Sequence, residues 1–186
     1  METTNVVIRP PGPADARELA EVHIAAWRAA YRGVMSDEFL DGIDVERRES
    51  GWRLQIEDPR EGTAYLVAET ASRIAGFVIV GPPVGDADAG SSADDGASPA
   101  NRVGQLYAIN LHPDLWARGI GTLLLRAAED RLRGLGYTSA YLWVEQSNER
   151  AIAFYIGAGW AADGGTKEDT AYSPPVTVKR YRKNLS

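Results

Sequence analysis

The spacing of apolar and polar residues divides the chain into alternating strand-like and helix-like stretches. Asn5–Arg9 reads as a short strand stopped by Pro10 and Pro11. Asp15 followed three residues later by Glu18 predicts a helix start at which the two side chains cap reciprocally. Behind it Leu19, Val22, Ala26, Trp27, Ala30 and Tyr31 recur at helical spacing, giving one apolar face as far as Gly33. A second helical stretch follows around Ser36–Leu40, and a third begins at Asp44 with Val45, Trp52 and Ile56 on one side. Thr63–Glu69 and Ile74–Val80 predict two strands joined at Thr70–Arg73, and Leu106–Leu111 a further strand ended by Pro113. Ile120–Leu135 carries the longest helical stripe: Ile120, Leu123, Leu124, Ala127, Ala128, Leu132 and Leu135, with Glu129 and Arg133 expected to pair on its outer side. Ala140–Val144 reads as a buried strand and Glu149–Ile156 as a short helix. Val176–Tyr181 reads as a last strand whose Lys179, Arg180 and neighbouring Arg182 suit an exposed face. Strands and helices alternate, so the fold class expected is α/β.

One segment breaks the pattern. Residues 82–101 hold Pro82, Pro83, Pro99 and several Gly and Ser, with Asp86, Asp88, Asp94 and Asp95 and no aromatic. This composition predicts a mobile acidic loop, with an acidic flap that attracts a cationic substrate as the rival reading. Elsewhere no repeat and no domain boundary is visible, so residues 1–186 read as a single domain. Its 186 residues bury about 70% of the surface the unfolded chain exposes, enough for a full core without staples.

Composition narrows the chemistry. The chain has no cysteine and only two histidines, His23 and His112, which removes thiol nucleophiles and cysteine zinc sites. No metal is expected. A net charge of −6 argues against a nucleic-acid partner, which needs a clustered basic surface. No apolar run approaches the roughly 18 residues of a membrane span, so no membrane partner is expected. The start METTNVVIRP lacks the pattern of an export signal, which makes the cytoplasm the expected compartment.

The most informative stretch runs from Leu111 to Thr122, where a strand ends, a turn of small residues follows and a long amphipathic helix begins. Gly119 and Gly121 carry no side chains to cover the first-turn N–H groups. With the positive end of the helix dipole, those groups form an anion site suited to phosphates, to which Arg118 adds a cation. Glycines at a tight strand-to-helix turn also occur with no ligand. The dinucleotide fingerprint is excluded because position 124 is Leu, and a P-loop is excluded because no Gly-Lys-Ser/Thr follows.

Trp116–Gly121 occupies the place of the Q/R-x-x-G-x-G/A motif. Tyr141-Leu-Trp-Val144, Asn148, Ala151, Phe154-Tyr155 and Gly159-Trp160 follow in the order of a second motif. With Ala26–Gly33 upstream and Lys179–Lys183 at the end, the chain resembles the GNAT superfamily of acyl-CoA-dependent N-acetyltransferases, over nearly all its length except residues 82–101. The resemblance implies a mixed, mostly antiparallel central sheet with helices on both faces, and acetyl-CoA (coenzyme A) as co-substrate. It places the pyrophosphate on the amides of Arg118, Gly119, Ile120, Gly121 and Thr122, and the pantetheine arm along Ile109, Asn110 and Leu111. There a backbone amide of Asn110 or Leu111 would polarise the thioester carbonyl. Asn148 would contact the cofactor.

In that reading an amine attacks the thioester directly, and Tyr155 protonates the departing thiolate; a core role for Tyr155 is the plainer alternative. Relatives often carry Glu where this chain has Gln105, an amide that takes no proton. The base then falls to Glu145, the nearest acidic candidate, or to His23. Trp27 and Tyr31, with Phe39 and Trp52, would flank an acceptor pocket that Gln105 also touches, although aromatics at helical spacing equally describe a core. The acceptor expected is a small-molecule or peptide amine, and dimers are common in the family, which leaves a homodimer open. A protein that only binds acyl-CoA, as a sensor or regulatory module, is the rival reading.

Overall fold

The computed structural model describes residues 5–85, 102–170 and 172–186. The expectation of a mobile loop over 82–101 lies, beyond Gly85, outside the described residues. The elements run β1 (Val7–Arg9), α1 (Ala16–Tyr31), α2 (Asp37–Asp41), α3 (Val45–Glu57), β2 (Ala64–Glu69), β3 (Ile74–Gly81) and β4 (Val103–Leu111). After these come α4 (Ile120–Gly134), β5 (Ser139–Glu145), α5 (Glu149–Gly157), β6 (Ala161–Asp169) and β7 (Val176–Asn184). The strands hydrogen-bond in the order β1-β2-β3-β4-β5-β7-β6. The pairs β1–β2, β5–β7 and β6–β7 are antiparallel, and β4–β5 is parallel. This is the mixed α/β sheet expected.

The chain folds as two compact units, 1–79 with 108–128 and 80–107 with 129–186. In the first, α1 packs against α3. The apolar stripe of α1 (Ala16, Leu19, Ala20 and Val22) meets Trp52 of α3 and Val67, Ile74 and Phe77 of the strands in one buried cluster. The short helices begin where side chains accept the orphan N–H groups of a first turn: Ser36 Oγ takes Phe39 N–H at 3.2 Å, and Asp44 Oδ1 takes Arg47 N–H at 2.6 Å. The start of α1 differs from the reciprocal Asp15–Glu18 box expected. Arg9 holds the Asp15 carboxylate with two bonds of 2.7 and 3.0 Å, and Asp15 accepts Gly12 N–H. Glu18 turns away from the helix to accept Ile74 N–H of β3 at 2.8 Å. A charge-assisted partner outside the helix outcompeted the local cap.

In the second unit β5 and β7 pair from Ser139↔Asn184 to Glu145↔Val178. Strand β6 was not expected. Its sequence, Ala161-Ala-Asp-Gly-Gly-Thr-Lys-Glu-Asp169, has no apolar alternation, and it pairs with β7 across a register shift between Ala162 and Thr166. Asp163 ties it down, 2.7 Å from both Arg180 and Arg182, so those two arginines are ion-paired and not simply solvated. Glu129 also departs from expectation. It does not face outward but is buried, accepting Trp160 Nε1–H at 3.0 Å and holding Lys183 Nζ at 2.8 Å. Arg133 keeps the expected i,i+4 ion pair with it at 3.9 Å, and hydrogen-bonds to Asp130 and the Leu185 carbonyl.

Candidate active site

The turn from β4 to α4 lies in the first unit. His112 N–H donates to the Ala75 carbonyl at 2.8 Å, anchoring the end of β4 to β3. A short helical turn, Pro113–Leu115, then leads to Trp116, whose indole N–H reaches back to the Leu111 carbonyl at 2.9 Å. Trp116 thus closes the turn on itself. Ala117 and Gly119 both take left-handed backbone angles, φ of 58° and 80°. The alternation at Ala117, Arg118 and Gly119 is what lets the chain bend sharply into a helix. Helical bonding begins at the Gly119 carbonyl, which accepts Thr122 and Leu123 N–H at 3.1 and 3.2 Å. The N–H groups of Ile120 and Gly121 come before any intrahelical acceptor. Arg118 and Gly119 are exposed, and the space where a Gly119 side chain would stand has no atom within 4 Å. Ile109, Asn110 and Leu111 are half-buried in β4, where the Asn110 carbonyl lies so close to Gly76 that a side chain there would collide.

Also in the first unit, Trp27 and Tyr31 stand edge to face on α1, their ring centroids 5.6 Å apart. The Arg48 guanidinium lies 5.8 Å from the Trp27 ring centre. Trp52 belongs to the core at 3% exposure, while Phe39 lines an adjoining cleft. His23 packs among Trp27, Trp52 and Phe77. Burial, and then the nearby Arg48 charge, push its imidazole from the ordinary 6.5 down to about 3. A histidine so depressed is neutral near pH 7 and a weak base.

In the second unit the turn after β5 gathers two of the expected residues. Glu145 is buried, and Ser147 donates to both its oxygens, N–H to Oε1 at 2.9 Å and O–H to Oε2 at 2.6 Å. Asn148 N–H donates to the Glu145 carbonyl, and its side chain caps α5 by accepting Ala151 N–H at 3.1 Å. Tyr155 is buried on α5, its ring 6.3 Å from that of Trp160. Gln105 in β4 is buried, and its Oε1 accepts both Tyr141 O–H and Val84 N–H at 2.9 Å. Among the described residues no group of three or more His, Asp or Glu is placed to hold a metal ion. No helix there is long and apolar enough to cross a membrane.

Two functional-looking features went unread in the sequence. The Trp116–Leu111 clamp had no local signal beyond an indole where polar residues are usual. The second is the joining of Phe39 and Trp52, expected beside an acceptor pocket, with His23 and Arg48 in one cleft.

A mixed sheet with a glycine turn opening a helix N-terminus at the end of its middle strand defines a class of α/β proteins. Comparison with known proteins narrows that class. A model of the acetyltransferase (GNAT) family matches residues 19–160, so the chain belongs to that family, whose enzymes use acetyl-CoA. An uncharacterized N-acetyltransferase, YuaI of Bacillus subtilis, is 25% identical over 150 residues, covering 81% of this chain and 77% of its own. A mycothiol acetyltransferase of Nocardioides is 35% identical over 157 residues, 82% of this chain and 48% of its own, so the chain spans about half of that relative. In fold it is similar to the PaiA N-acetyltransferase of Thermoplasma acidophilum, solved in complex with coenzyme A. That likeness has a TM-score of 0.71 and 20% identity, and covers 97% and 99% of the two chains.

Proposed function

We propose that the chain is one catalytic domain that moves an acetyl group from acetyl-CoA to a primary amine in the cytoplasm, by direct attack. The observation that carries this reading is the glycine turn into α4, open at Gly119, in a chain of the acetyltransferase family. The turn fits a pyrophosphate: the N–H groups of Ile120 and Gly121 come before any intrahelical acceptor, with a helix dipole behind them and the Arg118 cation beside them. Ile109–Leu111 would hold the pantetheine arm by strand-like hydrogen bonds, and Asn148 would contact it. The bound cofactor supplies an activated acetyl group as a thioester. Tyr155 supplies the proton that the departing sulfur needs; its burial suits a phenol that must stay protonated until then. Trp27 and Tyr31 offer ring faces and edges to the acceptor, with Gln105 as a polar contact.

Removing a proton from the amine is the harder half. Glu145 is the carboxylate assigned to it, and it takes the proton only once Ser147 releases one of its oxygens. A specific observation also favours the rival reading of an acyl-CoA sensor: Gln105 is an amide whose oxygen is engaged twice. Thiol release from acetyl-CoA separates the two. The panel holds polyamines, aminoglycosides, amino acids, peptides and the substrate of mycothiol acetyltransferases. Turnover above the no-acceptor background, lowered about 100-fold or more by Tyr155→Phe with coenzyme A affinity unchanged, is the expected result. Binding of coenzyme A without turnover on any acceptor would establish the sensor instead.

A further inference from the structure

Helices α1, α2 and α3, with Ile79 of β3, line a cleft of about 520 Å³ that includes Phe39 and Trp52, two of the aromatics expected beside an acceptor. That volume lies within the range of sites for small organic ligands, about 300–1,000 Å³. Phe39, Ile43, Trp52 and Ile79 make part of its wall apolar, and charged and polar side chains make up most of the rest. Two polar atoms of lining residues, His23 Nδ1 and Trp52 Nε1, are buried without a hydrogen-bond partner among the described residues. Two such atoms at one cleft are unusual, because buried polar groups are nearly always satisfied. The indole N–H is a donor only, so whatever satisfies it must bring an acceptor.

Charge points the same way. Arg48 lines the cleft half-buried, with no ion pair among the described residues; its guanidinium lies over the Trp27 ring, and Arg47 is a second cation on the same cleft. Burial and that like charge both disfavour its protonated form, the signature of a cation lacking an anion. The acids on the cleft do not supply one. Asp44 spends its carboxylate on the N-terminus of α3, and Glu38 is exposed on α2. A cationic ligand would meet two arginines and an indole N–H that lacks an acceptor. An anion would complete Arg48 and that N–H.

We propose that this cleft binds a small carboxylate with an apolar or aromatic body, its carboxylate held by Arg48, Trp52 N–H and His23. Neutral His23 donates from Nδ1 in the tautomer that puts the proton there. The body of the ligand lies against Phe39, Ile43 and Ile79. The proposal does not depend on acetyl transfer, because the test reads binding to the protein without coenzyme A.

The probe is 3-phenylpropanoate, titrated into the full chain by calorimetry with tryptophan fluorescence as a second readout. Saturable binding of one molecule per chain is expected, with a Kd below about 1 mM. The uncharged 3-phenylpropanamide, of the same shape, is expected to bind at least about tenfold more weakly. Arg48→Met should weaken the acid by about tenfold or more and leave the amide nearly unaffected, and Trp52→Phe should weaken the acid severalfold. L-Phenylalanine, which adds an amine to the same skeleton, tells an acceptor's carboxylate from an effector's, according to whether it is acetylated as well as bound. No saturation up to about 10 mM, or equal affinity for acid and amide, overturns the proposal. So does a folded Arg48→Met that binds the acid as well as the parent. The acid-to-amide ratio on the unaltered protein decides the matter even if the variants fail to fold.

Discussion

Acidification should unfold this protein partly through one residue, His23. Its imidazole is wedged among Trp27, Trp52 and Phe77 and titrates near 3, against 6.5 for a free histidine. The unfolded chain therefore takes up a proton at this site in a range where the folded chain does not. A folded pKa below the unfolded one contributes stability that is present above 6.5 and lost as pH falls toward 3. Within that window the loss approaches about 1.4 kcal/mol per pH unit, and between pH 7 and pH 5 it integrates to about 2 kcal/mol. Carboxylate ion pairs add their own losses at lower pH, so the comparison must isolate His23. His23→Leu keeps an apolar side chain of similar size and cannot titrate. Urea unfolding of both proteins between pH 7 and pH 5 should show the parent losing about 2 kcal/mol more than the variant. Parallel pH profiles would refute the assignment, since they would mean that the folded state protonates His23 as readily as the unfolded chain. Arg48→Met, which removes the nearby cation, should shrink the difference without abolishing it, because burial is the larger cause.

Three further substitutions test the architecture. Gly119→Ala adds a methyl group into open space at φ 80°, so its cost is backbone strain of about 1 kcal/mol, and coenzyme A titration should show weakened affinity. Trp116→Phe keeps the ring but frees the Leu111 carbonyl, costing about 1 kcal/mol in urea unfolding and loosening the turn that presents the amides. Glu129→Ala strands Lys183 and the Trp160 indole. Breaking a buried pair costs about 3–5 kcal/mol, and the partial exposure of Lys183 places this one nearer 2–3, with Glu129→Gln recovering part through the indole bond.

Most of the fold was legible because its elements carry their own period. The stripe of α4 and the sandwiched faces of β3 and β5 are visible wherever a core is their only partner. Where a charged side chain had a choice of partners, local rules misled. Asp15 and Glu18 fit a capping box, yet Arg9 and the Ile74 amide, distant in sequence or in strand, claimed them. Glu129 fits an exposed ion pair with Arg133, yet it lies on the line from Leu125 to Leu132 and is buried with them. Strand β6 has no pattern to read, because its register comes from β7 and the Asp163–Arg180 and Asp163–Arg182 pairs.

The site divides along the same line, and the division bears on the acceptor. Roles that belong to backbone, such as an open helix N-terminus, are written in glycines and survive translation into structure. Roles that belong to protons depend on packing. His23 is too weak a base at a pKa near 3, Gln105 takes no proton, and Glu145 has both oxygens in bonds to Ser147. A site whose candidate bases are so engaged suits an amine that needs little help. A lysine-type amine, with a pKa near 10.4, costs about 4.6 kcal/mol to neutralise at pH 7, whereas an α-amine near 8 costs about 1.4. The difference corresponds to as much as about 250-fold in reactive amine, of which the greater nucleophilicity of the more basic group offsets part. A peptide carrying both a free N-terminus and a lysine should therefore be acetylated mainly at the α-amine at pH 7. The advantage in neutral amine should fall to about tenfold near pH 9.4, as the lysine deprotonates. Mass spectrometry of the product at the two pH values measures it. Predominant ε-acetylation at pH 7 would show that a competent base acts on the amine after all, and Glu145, freed from Ser147 as the acceptor arrives, would be the group to examine by Glu145→Gln.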